Sequence, residues 1–159
     1  MCDISFRYAE EKDVSLILKF IRDLAEYEGL LQEVVATEDI LREWLFEKKS
    51  AEVLFAVLDG KEIGFALYFY NFSTFLGRSG IYLEDLYVDP LYRGKGYGKA
   101  ILKKLAKTAV EKGMGRLEWW CLDSNTKSIG FYLSLGAEAM EDWTVYRLSG
   151  ETLNALAKE

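Results

Sequence analysis

Apolar and polar positions change period several times along the chain, and each change marks an element. A short apolar run, Ile4 to Phe6, reads as a strand. Val14, Ile17, Leu18, Ile21, Leu24 and Ala25 then recur at three- and four-residue steps, the spacing of one helix face, and the helix is expected to end near Gly29. Thr37 is a good N-cap for a second helix carrying Ile40, Leu41, Trp44 and Leu45. Strands are predicted over Glu52–Leu58 and Ile63–Tyr70, joined by Asp59-Gly60-Lys61; Asp-Gly between apolar runs is a strong hairpin signal.

A looser loop is expected from Asn71 to Gly80, followed by a strand over Ile81–Val88 that Asp89-Pro90 should end. A glycine-rich turn then opens a helix of about fifteen residues. Ile101, Leu102, Leu105 and Ala109 form its apolar face, opposite Lys99, Lys103, Lys104, Lys107 and Glu111. A strand at Arg116–Leu122, a short helix near Thr126–Leu135 and a terminal strand near Thr144–Leu148 follow, with a final helical turn or two over Glu151–Ala157. Helices and strands interleave, yet several strands are joined by hairpins. That combination predicts a mixed α/β (α+β) sheet, mostly antiparallel and flanked by helices. With 159 residues, one proline and no linker or repeat, the expectation is a single domain over 1–159.

Composition removes whole classes of chemistry. The chain has no histidine, which excludes Ser-His-Asp and Cys-His nucleophile systems and histidine-based zinc sites. Acid–base work must come from carboxylates, tyrosines, lysines or cysteines. Cys2 and Cys121 make neither a metal-ligand spacing nor a disulfide framework, so free thiols, no metal and a cytoplasmic location are expected. No apolar run approaches the ~20 residues a membrane span needs, and the N-terminus lacks a secretory h-region. The net charge of −6 disfavours nucleic-acid binding and favours a cationic partner.

The most informative stretch is Arg93-Gly94-Lys95-Gly96-Tyr97-Gly98, between a strand and an amphipathic helix. Alternating glycines permit positive φ angles and expose consecutive N–H groups. Added to the free amides and positive end of the helix, these donors make an anion cradle, with Arg93 and Lys95 supplying charge. The spacing is neither G-x-x-x-x-G-K-[ST] nor G-x-G-x-x-G, so a diphosphate other than a nucleoside triphosphate or a dinucleotide is indicated. Glu84 and Asp85 stand side by side in an otherwise apolar strand, where packing does not explain them. Strand alternation sends them to opposite faces.

Arg93-x-x-Gly96-x-Gly98 resembles the acetyl-CoA signature [Q/R]-x-x-G-x-[G/A] of the GNAT N-acetyltransferase superfamily. The preceding Tyr-Leu-Glu-Asp-Leu-Tyr-Val strand, the following helix, and Asn125 seven residues before Tyr132 fit the same pattern. Leu24-Ala25-Glu26-Tyr27-Glu28, Tyr82-Leu83-Glu84-Asp85, Phe131-Tyr132 and Glu141-Asp142-Trp143 are similar to the diamine acetyltransferases, the spermidine/spermine enzymes and their thialysine-acetylating relatives. Ser73-Thr74-Phe75-x-Gly77-Arg78 resembles the thialysine branch.

This resemblance implies acetyl-CoA as co-substrate, a small cationic amine as acceptor and a homodimer. It implies Glu84 as the base and Tyr132 as the acid for the leaving thiolate. For the cofactor it implies the strand backbone at Leu86, Tyr87 and Val88, the turn from Arg93 through Gly94, Lys95, Gly96, Tyr97 and Gly98 to Lys99, and Asn125, Lys127 and Ser128. For the amine it implies Tyr27, Glu28, Glu84, Asp85, Glu118, Trp119, Trp120, Glu141 and Trp143, with the adjacent tryptophans lining one cleft. Two departures leave the acceptor open: Ser124 stands where the relatives carry a tryptophan, and the loop from Glu47 to Ala51 is shorter. A peptide N-terminus, amino acid or antibiotic amine is the alternative acceptor, and a non-catalytic acyl-CoA sensor the alternative of another class.

Overall fold

A computed structural model describes residues 3–159, which divide into two compact units at Trp120 and Cys121. The reading of Cys2 as a free thiol lies outside the described residues. The first unit contains β1 (Ser5–Tyr8), α1 (Val14–Tyr27), α2 (Glu38–Arg42), β2 (Glu52–Leu58), β3 (Lys61–Ser73), β4 (Arg78–Val88), α3 (Tyr97–Glu111) and β5 (Leu117–Trp119). The strands lie in the order β1-β2-β3-β4-β5. All neighbours are antiparallel except β4 and β5, which α3 connects in parallel. This is the mixed, mostly antiparallel sheet that the interleaved pattern predicts.

Local chemistry explains most boundaries. Thr37 caps α2 by accepting from the Ile40 N–H at 3.3 Å. The helix expected there is short, and its apolar stretch continues as a π-turn over Glu43–Glu47. Asp59 and Gly60 both take positive φ (50° and 77°) in the two-residue turn closing the Leu58–Lys61 pair, as a twisted hairpin requires.

Two expectations fail in extent. The loop from Asn71 to Gly80 is largely strand: Asn71, Phe72 and Ser73 pair with Gly80, Ser79 and Arg78, leaving a tight turn in which Gly77 N–H bonds to Ser73 O at 2.8 Å. Polar turn formers concealed a continuing ladder. The Arg116–Leu122 strand contracts to Leu117–Trp119, since β4 offers a partner only as far as Leu83.

Each face of the sheet is covered. Ile17 and Phe20 of α1 pack with Val53, Phe55, Phe65 and Tyr87, and with Leu45 of the π-turn. Leu54, Ala56, Ala66, Tyr68, Ile81 and Leu83 lie on the opposite face and are also buried. The buried stripe of α3, Ile101, Leu102, Leu105 and Ala109, packs on β4 and β5 from that side.

The second unit contains α4 (Thr126–Ser134) and α5 (Gly150–Leu156). The strand expected at Thr144–Leu148 is not formed; residues 144–149 have no regular structure. Strand-like alternation produces a ladder only where a partner strand supplies one, and none is paired with it in this unit. No helix among the described residues is long and apolar enough to cross a membrane.

Candidate functional site

Two irregularities of β4 build the site. In the ladder with β3, Leu67 pairs with Asp85 and Tyr68 with Leu83, so Glu84 is an extra residue with no partner. It forms a β-bulge and its side chain is exposed. The second irregularity is on the other edge: β5 pairs with β4 only from Ile81 to Leu83. Beyond that point the outer edge of β4 has no strand partner among the described residues of this unit.

The register fixes which groups face that open edge. Asp89 N–H bonds to Ile63 O at 2.8 Å, which makes Ile63 and Asp89 a hydrogen-bonded pair. Antiparallel pairs alternate, so Gly64–Val88 and Ala66–Leu86 are non-hydrogen-bonded pairs. The peptide groups of Leu86 and Val88 therefore point away from β3, whereas those of Tyr87 pair with it. The Val88 carbonyl accepts the Arg93 Nε–H at 2.7 Å. Strand β3 approaches closely here, and a Cβ on Gly64 would lie 2.3 Å from Tyr87 O.

After the short turn Pro90–Tyr92 the chain reaches the glycines. Gly94 and Gly96 have φ of 75° and 86°, while Gly98 is already in the first turn of α3. Two positive-φ glycines, not three, thus curl the turn. Among the described residues no acceptor takes the backbone N–H of residues 94 to 99, and the first bond of the helix is Ala100 N–H to Gly96 O at 3.0 Å. Space beside Gly94, Gly96 and Gly98 is open. The amides and the positive end of α3, with Lys95 and Lys99 in the same stretch, offer hydrogen-bond donors and positive charge of the kind an anion needs.

Carboxylates collect near the bulge. Asp85 is half-buried; burial first, and then the charges of Glu84 and Glu28, push its pKa up to about 7. Glu28 caps the C-terminal end of α1, and burial raises its pKa too. Tyr27, the last residue of α1, lies under the Arg93 guanidinium, 4.6 Å from its carbon. Tyr27, Glu28, Glu84 and Asp85 are thus brought together from α1 and β4. A region that holds carboxyls short of full ionisation is ready for a cation, which would restore their charge.

Residues of β5 are placed differently. Glu118 accepts from Asn71 Nδ2 at 2.8 Å, and Arg116 Nε stands 2.8 Å from the same oxygen, off the hydrogen-bonding direction. Its carboxylate is engaged inside the sheet. Trp119 pairs with Leu83, whereas Trp120 packs edge-on against Tyr82, ring centres 5.9 Å apart. Leu83 and Tyr82 are on opposite faces, so the two tryptophans do not share a wall. A separate shallow pocket lined by Ala9, Leu45, Phe46, Lys49, Ala51, Glu52 and Val53 contains none of the predicted site residues.

In the second unit Asn125 caps α4 by accepting the Ser128 N–H at 3.2 Å. Lys127 is exposed in the first turn. Tyr132 is half-buried on this helix, its ring 5.5 Å from that of Phe131. Glu141 and Trp143 are exposed in the irregular segment, with Trp143 N–H reaching Met140 O at 3.3 Å. Sequence reasoning missed the role of Asn71 and the inward turn of Arg93; neither has a local pattern to announce it.

Comparison with known proteins points one way. The sequence pattern of the acetyltransferase (GNAT) family matches residues 18–137. The thialysine N-epsilon-acetyltransferase of Bos taurus is 39% identical, over 99% of each chain. The L-ornithine N5-acetyltransferase NATA1 of Arabidopsis thaliana is 43% identical over 60% of this chain and 42% of its own. An integron cassette protein of V. cholerae superposes with a TM-score of 0.81 at 30% identity, over 98% of both chains.

Proposed function

Because this chain belongs to the acetyltransferase (GNAT) family and is an acetyl-CoA-dependent N-acetyltransferase, we propose that its acceptor is a primary amine of a small cationic substrate, of the diamine, polyamine or thialysine type. The observation that carries the substrate class is the carboxylate group of Glu28, Glu84 and Asp85, gathered where α1 ends and β4 bulges. The proposal treats the whole chain, 1–159, as one catalytic domain. A cytoplasmic location, expected from the cysteines, and a homodimer, implied by resemblance, belong to it, the latter checked by sedimentation.

Acetyl-CoA supplies an acetyl group activated as a thioester. The residues present fit its diphosphate, since the N–H groups from Gly94 to Lys99 have no acceptor of their own. They would hold it with Lys95 and Lys99, while the outward peptide groups of Leu86 and the Val88 N–H, on either side of Tyr87, can continue a ladder along the pantetheine amides. Asn125, Lys127 and Ser128 are assigned to the same cofactor.

A protonated alkylamine has a pKa near ~10.4 and no lone pair to attack with. Glu84 takes its proton, directly or through water, and the freed nitrogen attacks the thioester carbonyl within a ternary complex. By resemblance, the Tyr132 hydroxyl protonates the departing thiolate as the C–S bond breaks, and the phenolate takes back the proton that the new amide nitrogen sheds. Glu28, Asp85 and Tyr27 hold the cationic remainder, and Glu141, Trp143, Trp119 and Trp120 are assigned to the amine by resemblance. Glu118 serves the substrate only by shaping β5, because Asn71 and Arg116 already claim its carboxylate.

A thiol-release assay with acetyl-CoA and an amine panel tests this reading. Spermidine, a short diamine, thialysine and ornithine are set against a neutral peptide N-terminus and an aminoglycoside. Turnover confined to the last two, or to none, would overturn the substrate class.

A further inference from the structure

Arg93 opens the cofactor signature, and a cationic side chain there is naturally read as a phosphate contact. Its surroundings say otherwise. The guanidinium carbon lies 4.6 Å from the centre of the Tyr27 ring and 5.4 Å from that of Tyr87, and Nε–H is donated to Val88 O at 2.7 Å. Tyr87 in turn packs against Phe20 of α1, ring centres 5.3 Å apart, and donates its hydroxyl to Asp23 at 3.4 Å. Burial, aided by Asp23, pushes the Tyr87 phenol up to about 12, so it remains a donor throughout the working range.

We propose that Arg93 is a positioning residue: it fastens the C-terminal end of α1 to the end of β4, so the amide cradle and the acceptor carboxylates keep a fixed spacing. The planar guanidinium serves two aromatic faces and one carbonyl together, whereas an ammonium offers neither the plane nor the fork. Tyr27 is followed directly by Glu28, so holding Tyr27 in place holds the backbone that carries Glu28. Arg93 thereby acts on the amine without touching it. The inference rests on Glu28, Glu84 and Asp85 being the amine site.

Arg93→Lys keeps the charge and removes the clamp. KM for the amine is expected to rise about three- to thirtyfold, the range of a lost cation–π contact, while the Kd for coenzyme A by calorimetry stays within about threefold. Tyr27→Leu, at a half-exposed helix end where folding is not at stake, should give the same split. In the double variant the two losses should not multiply, because both remove one contact. Amide hydrogen exchange at residues 26–30 should quicken in Arg93→Lys, although Arg93 hydrogen-bonds none of them.

Coenzyme A binding weakened tenfold or more with amine KM unchanged would make Arg93 a phosphate ligand and overturn the proposal. So would independent, multiplying effects of the two substitutions, or unaltered exchange at 26–30. If wild-type enzyme turns over no cationic amine, the substrate class fails by itself; exchange at 26–30 still decides the clamp.

Discussion

Asp85 offers the sharpest test, because its ionisation ties stability to the proposed amine site. Its pKa rises from the ordinary 3.8 to about 7 on folding, chiefly through burial, then through Glu84 and Glu28. A carboxyl whose folded pKa is raised stabilises the fold while protonated. That contribution is complete below the unfolded pKa and disappears as pH climbs through the folded one. A shift of about 3 units corresponds to about 4 kcal/mol in all, of which about 2.5 kcal/mol is lost between pH 5 and pH 8. Asp85→Asn, neutral at every pH, is spared this loss. Urea unfolding of both proteins at pH 5, 6.5 and 8 should show the variant gaining on wild type by about 2–3 kcal/mol across that span, or roughly 5–10 °C in Tm for a chain of this size. Titrating groups remote from Asp85 cancel in the comparison, and Glu84 and Glu28, whose charges act on Asp85, are present in both proteins. A stability difference flat to within about 0.5 kcal/mol from pH 5 to 8 would refute the raised pKa. The electrostatic case for a cation beside Asp85 would go with it.

Further outcomes follow from the same geometry. Glu84→Gln should lower kcat by about a hundredfold or more while leaving coenzyme A affinity unchanged, as read by thiol release and calorimetry. Tyr132→Phe should likewise lower kcat far more than it weakens coenzyme A; equal activity of variant and wild type removes Tyr132 from the chemistry. Gly96→Ala meets open space but must hold φ near 86°, which costs about 1–2 kcal/mol of stability and lowers Tm by roughly 2–8 °C. An unchanged Tm would show that the turn is not held in the left-handed conformation.

What could be read from the sequence was what local chemistry determines. The period of Val14 to Ala25, the Asp59-Gly60 turn, the Thr37 and Asn125 caps and the glycine turn before α3 each depend on a few neighbouring residues. The hairpin end from Asn71 to Gly80 was misread because its loop-forming residues are held in a ladder by partners across the sheet, including Glu118 from β5. Thr144–Leu148 shows the converse error, a strand-like alternation with no ladder. Arg93 advertises a charge in the sequence but not its two tyrosines, which come from α1 and β4.

The bulge is the deeper case of a feature that lies outside local reach. Glu84 and Asp85 stand out as adjacent carboxylates, and alternation assigns them opposite faces, yet alternation alone cannot say which face either takes. Ile81 and Leu83 are fixed under α3, so an unbroken strand would carry Asp85 and Tyr87 to that same side. Inserting Glu84 as an unpaired residue reverses the parity. Asp85 and Tyr87 then join Leu67 and Phe65 on the face where α1 ends, and Leu86 and Val88 turn their peptide groups to the outer edge. One extra residue therefore places a carboxylate beside Glu28, exposes a second at the bend, and opens an edge next to the amide cradle. The proposed cofactor side and acceptor side are set by the same irregularity, and it is visible only once β3 is laid against β4.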